Sequence, residues 1–188
     1  MKKIAIFASG SGTNAEKIIE YFKDHSSATV SLLLSNKKDA KALERAAKHG
    51  VQTRIFNRTE LYETENILHL LEEKKIDLIV LAGFLWLIPE NLVDAYPYRI
   101  INIHPALLPK YGGKGMYGSR VHEAVIESGD KESGITIHYV NPEYDEGKII
   151  FQAKCNVDPD DDPDSLAQKI HQLEYEHFPK VIENLIIK

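Results

Sequence analysis

The sequence contains a single cysteine, Cys155, so it can form neither an internal disulfide bond nor a cysteine-based metal cluster. So little cysteine suits a reducing compartment, and the apolar run around Cys155 predicts a partly buried strand thiol and not a nucleophile. Positive charge is also scarce, because 23 lysine and arginine residues stand against 28 aspartate and glutamate residues. That balance argues against a general nucleic-acid binder, which needs a clustered excess of cations.

Long apolar runs are missing as well. The N-terminal run, residues 4–8, is too short to span a bilayer, and glycines follow it instead of a signal-peptide cleavage pattern. We therefore expect a cytoplasmic protein with no membrane segment. With 188 residues, of which 43% are hydrophobic, the chain can bury one substantial core, and we expect a single domain covering residues 1–188.

The order of the apolar segments predicts an α/β fold. The predicted strands cover residues 3–8, 29–34, 53–56, 78–82 and 100–103, and the predicted helices residues 15–23, 41–49, 60–73 and 89–95. This alternation is typical of βαβ units, so we expect a mostly parallel, Rossmann-like twisted sheet with helices on both faces. Residues 135–140 and 149–155 predict an added antiparallel hairpin. The acidic residues 158–165 then favour an exposed capping loop at the start of a long helix over a metal site.

A glycine loop, residues 9–14, directly follows the first predicted strand. Its small residues let a ligand approach the backbone, and the N–H groups at the start of the next helix attract an anion such as phosphate. The loop lacks the third glycine of the dinucleotide fingerprint and the lysine of the Walker A loop. Alternatively, Gly10 and Gly12 only form a tight turn, with Thr13 or Asn14 capping the helix. The position at the first βα turn favours phosphate.

The segment from Asn102 to Pro109 is the least ordinary stretch of the chain. Asn102 and His104 are two residues apart at the end of a predicted strand, so their side chains lie on one face, at the sheet edge where ligands bind. The amide can donate to an oxygen that gains negative charge, and the imidazole can transfer a proton near neutral pH. Both can also be polar residues satisfied in a strand-to-loop transition that Pro105 and Pro109 merely end. Because two prolines restrain the loop, we favour a site.

Asp145 lies in the polar turn between the two hairpin strands, close in sequence to His138. A carboxylate there can raise the pKa of a neighbouring imidazole and order a water molecule for proton relay. By itself the signal is weak, because aspartate is common in glycine-ended turns for backbone reasons alone.

These motifs, in this order, resemble the folate-dependent formyltransferases. The resemblance covers nearly the whole chain and rests on residues 9–14, 81–84, 102–113, the Asp145 turn and residues 174–179. It implies transfer of the formyl group of 10-formyltetrahydrofolate, the co-substrate, to the primary amine of glycinamide ribonucleotide in purine (IMP) biosynthesis. It implies no metal. An N-terminal half, about residues 1–100, would bind phosphate, and a C-terminal half, about residues 101–188, would hold the catalytic groups and the folate.

The resemblance also assigns roles to residues. Asn102 would stabilise the formyl oxygen as negative charge develops, and His104, in its protonated form, would support that oxyanion or pass a proton. Asp145 would orient His104 and a water molecule that carries a proton from the attacking amine. The residues expected at the substrate phosphate are Gly12, Thr13 and Asn14. Glu174 would position the substrate amine.

For the folate, the expected contacts are Arg58, Leu85, Trp86, Leu87, Ile88 and Asn102. The backbone of residues 85–88 would read the edge of the pterin while their apolar side chains pack on the ring, and Arg58 would bind the glutamate carboxylate. The glycine-rich residues 114–119 would form a mobile loop that closes over the substrate, with His122 on a helix behind it. The resemblance also suggests a cis peptide bond before Pro109. His138 would either face the site near His104 or be structural.

Other functions share parts of this pattern. Related enzymes with the same three catalytic residues formylate methionyl-tRNA or hydrolyse formyltetrahydrofolate, but they carry additional domains that we do not expect in a chain of this length. Formyltetrahydrofolate hydrolysis and a non-catalytic nucleotide-binding module stay open as alternatives. A dehydrogenase is disfavoured, because Ser35 and Asn36 stand where an acidic residue would follow the second strand. We expect small-molecule substrates only, no nucleic-acid or membrane partner, and a monomer or homodimer.

Overall fold

Seven strands and seven helices lie within residues 1–187, the part of the chain that the computed structural model describes. The strands are β1 (Lys2–Phe7), β2 (Ala28–Ser35), β3 (Gln52–Ile55), β4 (Leu78–Leu81), β5 (Ile100–His104), β6 (Glu132–Tyr139) and β7 (Ile149–Asn156). The helices are α1 (Thr13–Phe22), α2 (Lys41–Lys48), α3 (Arg58–Tyr62), α4 (Asn66–Glu73), α5 (Glu90–Ala95), α6 (Ser119–Ser128) and α7 (Pro163–Ile186). Most of these elements lie within a few residues of the predicted ones, whereas no bounds were predicted for α6.

All seven strands form one sheet, in the order β3-β2-β1-β4-β5-β6-β7. Strands β1 to β5 pair in parallel, whereas β6 runs antiparallel to β5 and β7 antiparallel to β6. The predicted mostly parallel sheet with a C-terminal antiparallel hairpin is therefore confirmed. The chain crosses from one side of β1 to the other between β3 and β4, so the strand order reverses between β1 and β4. Open α/β sheets form their ligand crevice at the carboxyl ends of the strands beside such a reversal.

Apolar side chains cover both faces of the sheet. Helices α1, α2, α6 and α7 pack against one face, and α3, α4 and α5 against the other. All four residues of β4 are buried, as their unbroken apolar run predicts for a central parallel strand. The strands thus lie between two apolar cores, and their carboxyl ends form the floor of the crevice.

One predicted helix, residues 60–73, is divided into α3 and α4. Asn57 caps α3, accepting a hydrogen bond from the Glu60 N–H at 2.9 Å while the Glu60 side chain accepts from the Asn57 N–H at 3.0 Å. At the break between the helices, the Thr64 hydroxyl donates to the Glu60 carbonyl at 3.3 Å and lies 3.4 Å from the Asn66 N–H. Such local side-chain bonds compete with helix continuation, and the periodicity of the apolar residues does not report them.

Helix α7 is the longest helix and begins in the acidic segment. Asp162 caps it, accepting from the Ser165 N–H at 2.8 Å while the Ser165 hydroxyl accepts from the Asp162 N–H at 3.0 Å. The predicted capping role of this segment is confirmed. No helix within residues 1–187 has both the length and the apolar character that a bilayer crossing requires.

Candidate active site

A cavity of about 610 Å³ opens at the carboxyl edge of the sheet, beside the strand-order reversal. Its walls come from the loops after β1, β4 and β5, the turn between β6 and β7, and helices α6 and α7. Most predicted site residues line it, namely Gly12, Thr13, Asn14, Leu85, Trp86, Leu87, Ile88, Asn102, His104, Asp145 and Glu174. The structure thus brings together groups that are spread over more than 160 residues of sequence.

Asn102, His104 and Asp145 meet at the centre of this cavity. Asn102 and His104 project from the same face of β5, as their spacing predicts. The Asp145 carboxylate lies between them, with Oδ2 3.4 Å from Nδ1 of His104 and Oδ1 3.4 Å from Nδ2 of Asn102. An amide donor, an imidazole and a carboxylate are therefore within reach of one small ligand atom.

The approach of Asp145 depends on an unusual path of the chain. Because β6 is antiparallel to β5, with Tyr139 opposite Ile101, the following turn begins near the amino end of β5. Residues 140–148 then fold back so that Asp145 reaches His104. Asp145 has a backbone φ of 58°, in the left-handed region that aspartate tolerates better than most residues.

Asp145 is held in its ionised form. Burial would raise the pKa of its carboxyl, but the neighbouring His138 and His104 rings and the Gly113 N–H donor together lower that pKa below 3.8. The Gly113 N–H donates to Oδ2 at 2.9 Å. The site therefore carries a negative charge at neutral pH, positioned to stabilise a cation next to it.

His104 is almost fully buried, with 3% of its surface exposed, and both ring nitrogens have a neighbour. Its Nε2–H donates to the Tyr111 carbonyl at 2.7 Å, which leaves Nδ1 facing Asp145. Burial lowers the pKa of His104 below 6.5, although Asp145 and the Tyr111 carbonyl act in the opposite direction. Burial thus favours the neutral ring before a ligand binds, while the protonated form that the resemblance implies stays a prediction. A proton taken up at Nδ1 would meet the Asp145 carboxylate.

His138 faces the same cavity and sets the orientation of the Asn102 amide. Its Nδ1 lies 2.9 Å from the Tyr139 carbonyl, which can only accept, so Nδ1 carries the hydrogen in the neutral ring. Its Nε2 can then accept the Asn102 amide N–H at 3.1 Å. The second Asn102 N–H has only the long 3.4 Å contact to Asp145, so this is the donor that can turn to a ligand oxygen.

The glycine loop forms the opposite end of the cavity. Helix α1 begins after Gly12, which has a φ of 73°, and within residues 1–187 no side chain caps the helix start. If the loop were only a tight turn, Asn14 could cap α1. Its side chain does not do so, because its Nδ2 donates instead to Glu174 Oε2 at 2.8 Å. The N–H groups of the first turn are thus left for a ligand, and the helix dipole favours an anion there.

Replacing Gly12 with alanine should disrupt this loop. The added Cβ would lie 2.4 Å from the Cα of Ala42, a backbone atom, and the positive φ is itself unfavourable for alanine. We expect a loss of about 1–3 kcal/mol of stability and at least a roughly tenfold weaker affinity for inorganic phosphate. Thermal unfolding and calorimetric titration would measure both. Gly10→Ala is the matched control for stability, because nothing lies within 4 Å of its Cβ position.

Glu174 lies next to the loop, projecting from α7 with 5% of its surface exposed. Burial raises the pKa of this carboxyl to about 7, despite the hydrogen bond from Asn14. Near neutral pH it is divided between its neutral and charged forms. A cationic or amine-bearing ligand would favour the charged form, so Glu174 is suited to recognising such a group.

The same burial predicts a pH-dependent stability that Glu174→Gln should abolish. Between pH 4.5 and 7 the native protein holds a proton that the unfolded chain has released, so stability falls as the pH rises through this window. Over the whole window the free energy of unfolding should fall by about 3 kcal/mol. We expect the variant to match the wild type below pH 4.5 and to be more stable above pH 7, measured by denaturant unfolding. Glu176→Gln, a substitution at an exposed position on the same helix, should keep the pH dependence of the wild type.

Of the residues expected to contact the folate, residues 85–88 lie at the cavity and Arg58 lies outside it. Residues 85–88 line the cavity, but the Leu85 N–H already donates to the Ser9 hydroxyl, and the Leu87 carbonyl already accepts from Tyr62. Arg58 is exposed and is not among the residues that line the cavity; its guanidinium lies 5.0 Å from the ring centre of Trp86, at the outer rim. A ligand that fills the cavity would have to extend past Trp86 to reach Arg58.

Several cavity residues were not predicted from the sequence. Lys37 and His171 line the cavity, and each had a usable signal: Lys37 follows β2 at the carboxyl edge, and His171 is three residues before Glu174 on α7. His122, on α6 as expected, is buried in the cavity wall, and burial lowers the pKa of its ring to about 4. Its Nδ1 has no hydrogen-bond partner within the described chain.

Two further expectations concern the loops and metal binding. The peptide bond between Leu108 and Pro109 is cis, as expected. Residues 113–118 line the cavity, while their closure over a ligand stays a prediction. Among residues 1–187, the side chains close enough to share a metal ion are Glu16, Glu20 and His49, and Glu16 there is paired with Arg45.

Comparison with known proteins identifies the family. The family model described as formyl transferase matches residues 2–182. A chloroplastic phosphoribosylglycinamide formyltransferase of Arabidopsis thaliana is 43% identical over 96% of this chain, which spans 64% of that protein. The phosphoribosylglycinamide formyltransferase of Bacillus subtilis is 38% identical, covering 99% of this chain and 95% of that protein.

Solved structures agree with the sequence comparison. The crystal structure of phosphoribosylglycinamide formyltransferase from Bacillus halodurans matches with a TM-score of 0.88 at 37% identity, over 100% of this chain and 96% of that one. The match therefore extends over the whole sheet and the loops that surround the cavity. This chain belongs to the formyl transferase family.

Proposed function

We propose that this chain, acting as one formyltransferase domain, transfers the formyl group of 10-formyltetrahydrofolate to the primary amine of glycinamide ribonucleotide. The observation that carries the proposal is the convergence of Asn102, His104 and Asp145 in a cavity whose other end is the uncapped start of α1. One end suits formyl transfer and the other suits a phosphate. The names of the related proteins support the same acceptor.

In the proposed reaction the amine nitrogen forms a bond to the formyl carbon. The formyl oxygen becomes negative and accepts a hydrogen bond from the free N–H of Asn102, a donor already positioned before the reaction. Neutral His104 takes the proton lost by the amine at Nδ1, directly or through a water ordered by Asp145, and the resulting cation lies beside Asp145. The bond from the formyl carbon to N10 of the folate then breaks, and N10 receives the proton.

The substrates would occupy opposite parts of the cavity. The ribonucleotide phosphate would bind the N–H groups of Gly12, Thr13 and Asn14, and Glu174 would position the amine by accepting its hydrogens. The folate would lie along residues 85–88, with its formyl group at Asn102. This arrangement places the two reacting groups side by side and lowers the entropic cost of their meeting.

A direct assay tests the proposal. Purified protein would be supplied with glycinamide ribonucleotide and 10-formyltetrahydrofolate, and formylated ribonucleotide and tetrahydrofolate would be quantified together. We expect equal amounts of both products and little tetrahydrofolate without the ribonucleotide. Equal release of tetrahydrofolate with and without the acceptor, and no formylated product, would show a formyltetrahydrofolate hydrolase instead. Absence of turnover despite binding of both molecules would indicate a binding module.

A further inference from the structure

We propose that Tyr111 is a positioning residue for the formyl transfer, with its carbonyl holding His104 inside the cavity and its phenol anchored outside by Asp130. This inference rests on the proposed function for its effect on catalysis. Its structural part concerns only how the His104 ring is held, and can be tested without substrates.

On the inner side, a short segment contacts two of the three proposed catalytic groups. The Tyr111 carbonyl accepts from His104 Nε2 at 2.7 Å, and two residues later the Gly113 N–H donates to Asp145 Oδ2 at 2.9 Å. Both contacts come from the backbone, so their geometry depends on where the segment lies. A shift of residues 111–113 would move His104 and Asp145 together.

On the outer side, the phenol of the same residue is fastened to α6 and the connection that follows it. The Tyr111 hydroxyl lies 2.6 Å from Ser128 Oγ and 2.9 Å from Asp130 Oδ2. Asp130 also accepts from Lys110 Nζ at 2.9 Å, and this cation and the Tyr111 hydroxyl lower the pKa of Asp130 below 3.8. The anchor is therefore a carboxylate that stays ionised at neutral pH and is bound from two sides.

The backbone of Tyr111 needs such an anchor. Its φ is 56°, in the left-handed region that is unfavourable for a residue with a bulky side chain. Such a conformation persists when the surroundings hold it. The hydroxyl bonds to Ser128 and Asp130 supply that restraint, and the carbonyl that results is directed at His104.

The first test removes only the hydroxyl, by Tyr111→Phe. We expect kcat for formyl transfer to fall on the order of tenfold, with KM for both substrates within about twofold, because positioning and not binding is affected. Tyr98→Phe is the matched control: Tyr98 has a similar φ of 55°, but its side chain is exposed and is not among the residues that line the cavity. We expect kcat of the control to equal that of the wild type. An unchanged kcat in Tyr111→Phe, or an equal fall in Tyr98→Phe, would overturn the proposal.

The second test needs no turnover and uses NMR titration of labelled histidines. The titratable groups around His104 are Asp145, His138 and His122, and they are the same in every variant. The Tyr111 carbonyl stabilises the charged form of the His104 ring. A less well-anchored carbonyl should therefore lower the pKa of His104 in Tyr111→Phe and in Asp130→Asn. The double variant should have the same His104 pKa as Tyr111→Phe alone, because both substitutions remove the same anchor. A His104 titration identical to that of the wild type in both single variants would refute the positioning role.

If the wild type forms no formylated product but the His104 pKa still falls in the variants, the proposed function fails while the positioning inference stands.

Discussion

Replacing His104 with alanine is expected to lower kcat for formyl transfer about 10³-fold, the largest effect of any single substitution considered for this protein. In the proposed reaction the His104 ring is the proton acceptor, and Asp145 lies 3.4 Å from the nitrogen that would take the proton. Alanine can neither accept the proton nor carry the positive charge next to the developing oxyanion. Steady-state kinetics with glycinamide ribonucleotide and 10-formyltetrahydrofolate would measure the fall.

The affinity for both substrates should change little in this variant, because the proposed binding contacts are made by the glycine loop, Glu174 and residues 85–88. Calorimetric titration of each substrate would separate a catalytic loss from a binding loss. His69→Ala is a suitable control, since the side chain of His69 is 65% exposed on α4 and pairs with Glu65. A kcat for His104→Ala within a few-fold of the wild type would exclude the proton-transfer role.

Replacing Asn102 with alanine should lower kcat by about 10²–10³-fold, the range observed when one oxyanion donor is removed. The substitution deletes the N–H that can turn from Asp145 to the formyl oxygen. It also leaves Nε2 of His138 without its amide partner. Since the donor is engaged most strongly when the oxygen is charged, kcat should fall more than KM rises.

The interpretation of this variant depends on a control for loss of folding. Asn184→Ala, an exposed asparagine near the end of α7, tests the general effect of losing an amide. We expect it to match the wild type in both rate and melting temperature. If Asn102→Ala raised KM for the folate by the full factor and left kcat unchanged, Asn102 would be a binding residue only, and another donor would have to stabilise the oxyanion.

Much of the fold follows from local sequence patterns. The βα alternation, the buried β4 and the added hairpin were all visible in the periodicity and length of apolar runs. The errors lie where local hydrogen bonds interrupt a regular pattern, as at Thr64 between α3 and α4. Hydrophobic periodicity describes which face of an element is buried, and it does not describe where a side chain ends that element.

For the site, the sequence by itself determined the same-face placement of Asn102 and His104, because a strand alternates its side chains with a period of two. It also determined the loop at the first βα turn, because glycine permits the conformation that the turn requires at Gly12. These features depend only on residues adjacent in the chain. For this reason the local sequence is sufficient to predict them.

The tertiary structure alone decided which distant groups meet and how they are charged. Residues 140–148 fold back to bring Asp145 to His104, the Tyr111 carbonyl takes one ring nitrogen, and Asn14 reaches Glu174 across 160 positions of the chain. Burial then lowers the pKa of His104 and raises the pKa of Glu174 to about 7. Desolvation and the field of neighbouring charges set these protonation states, and both arise only when separate segments pack together.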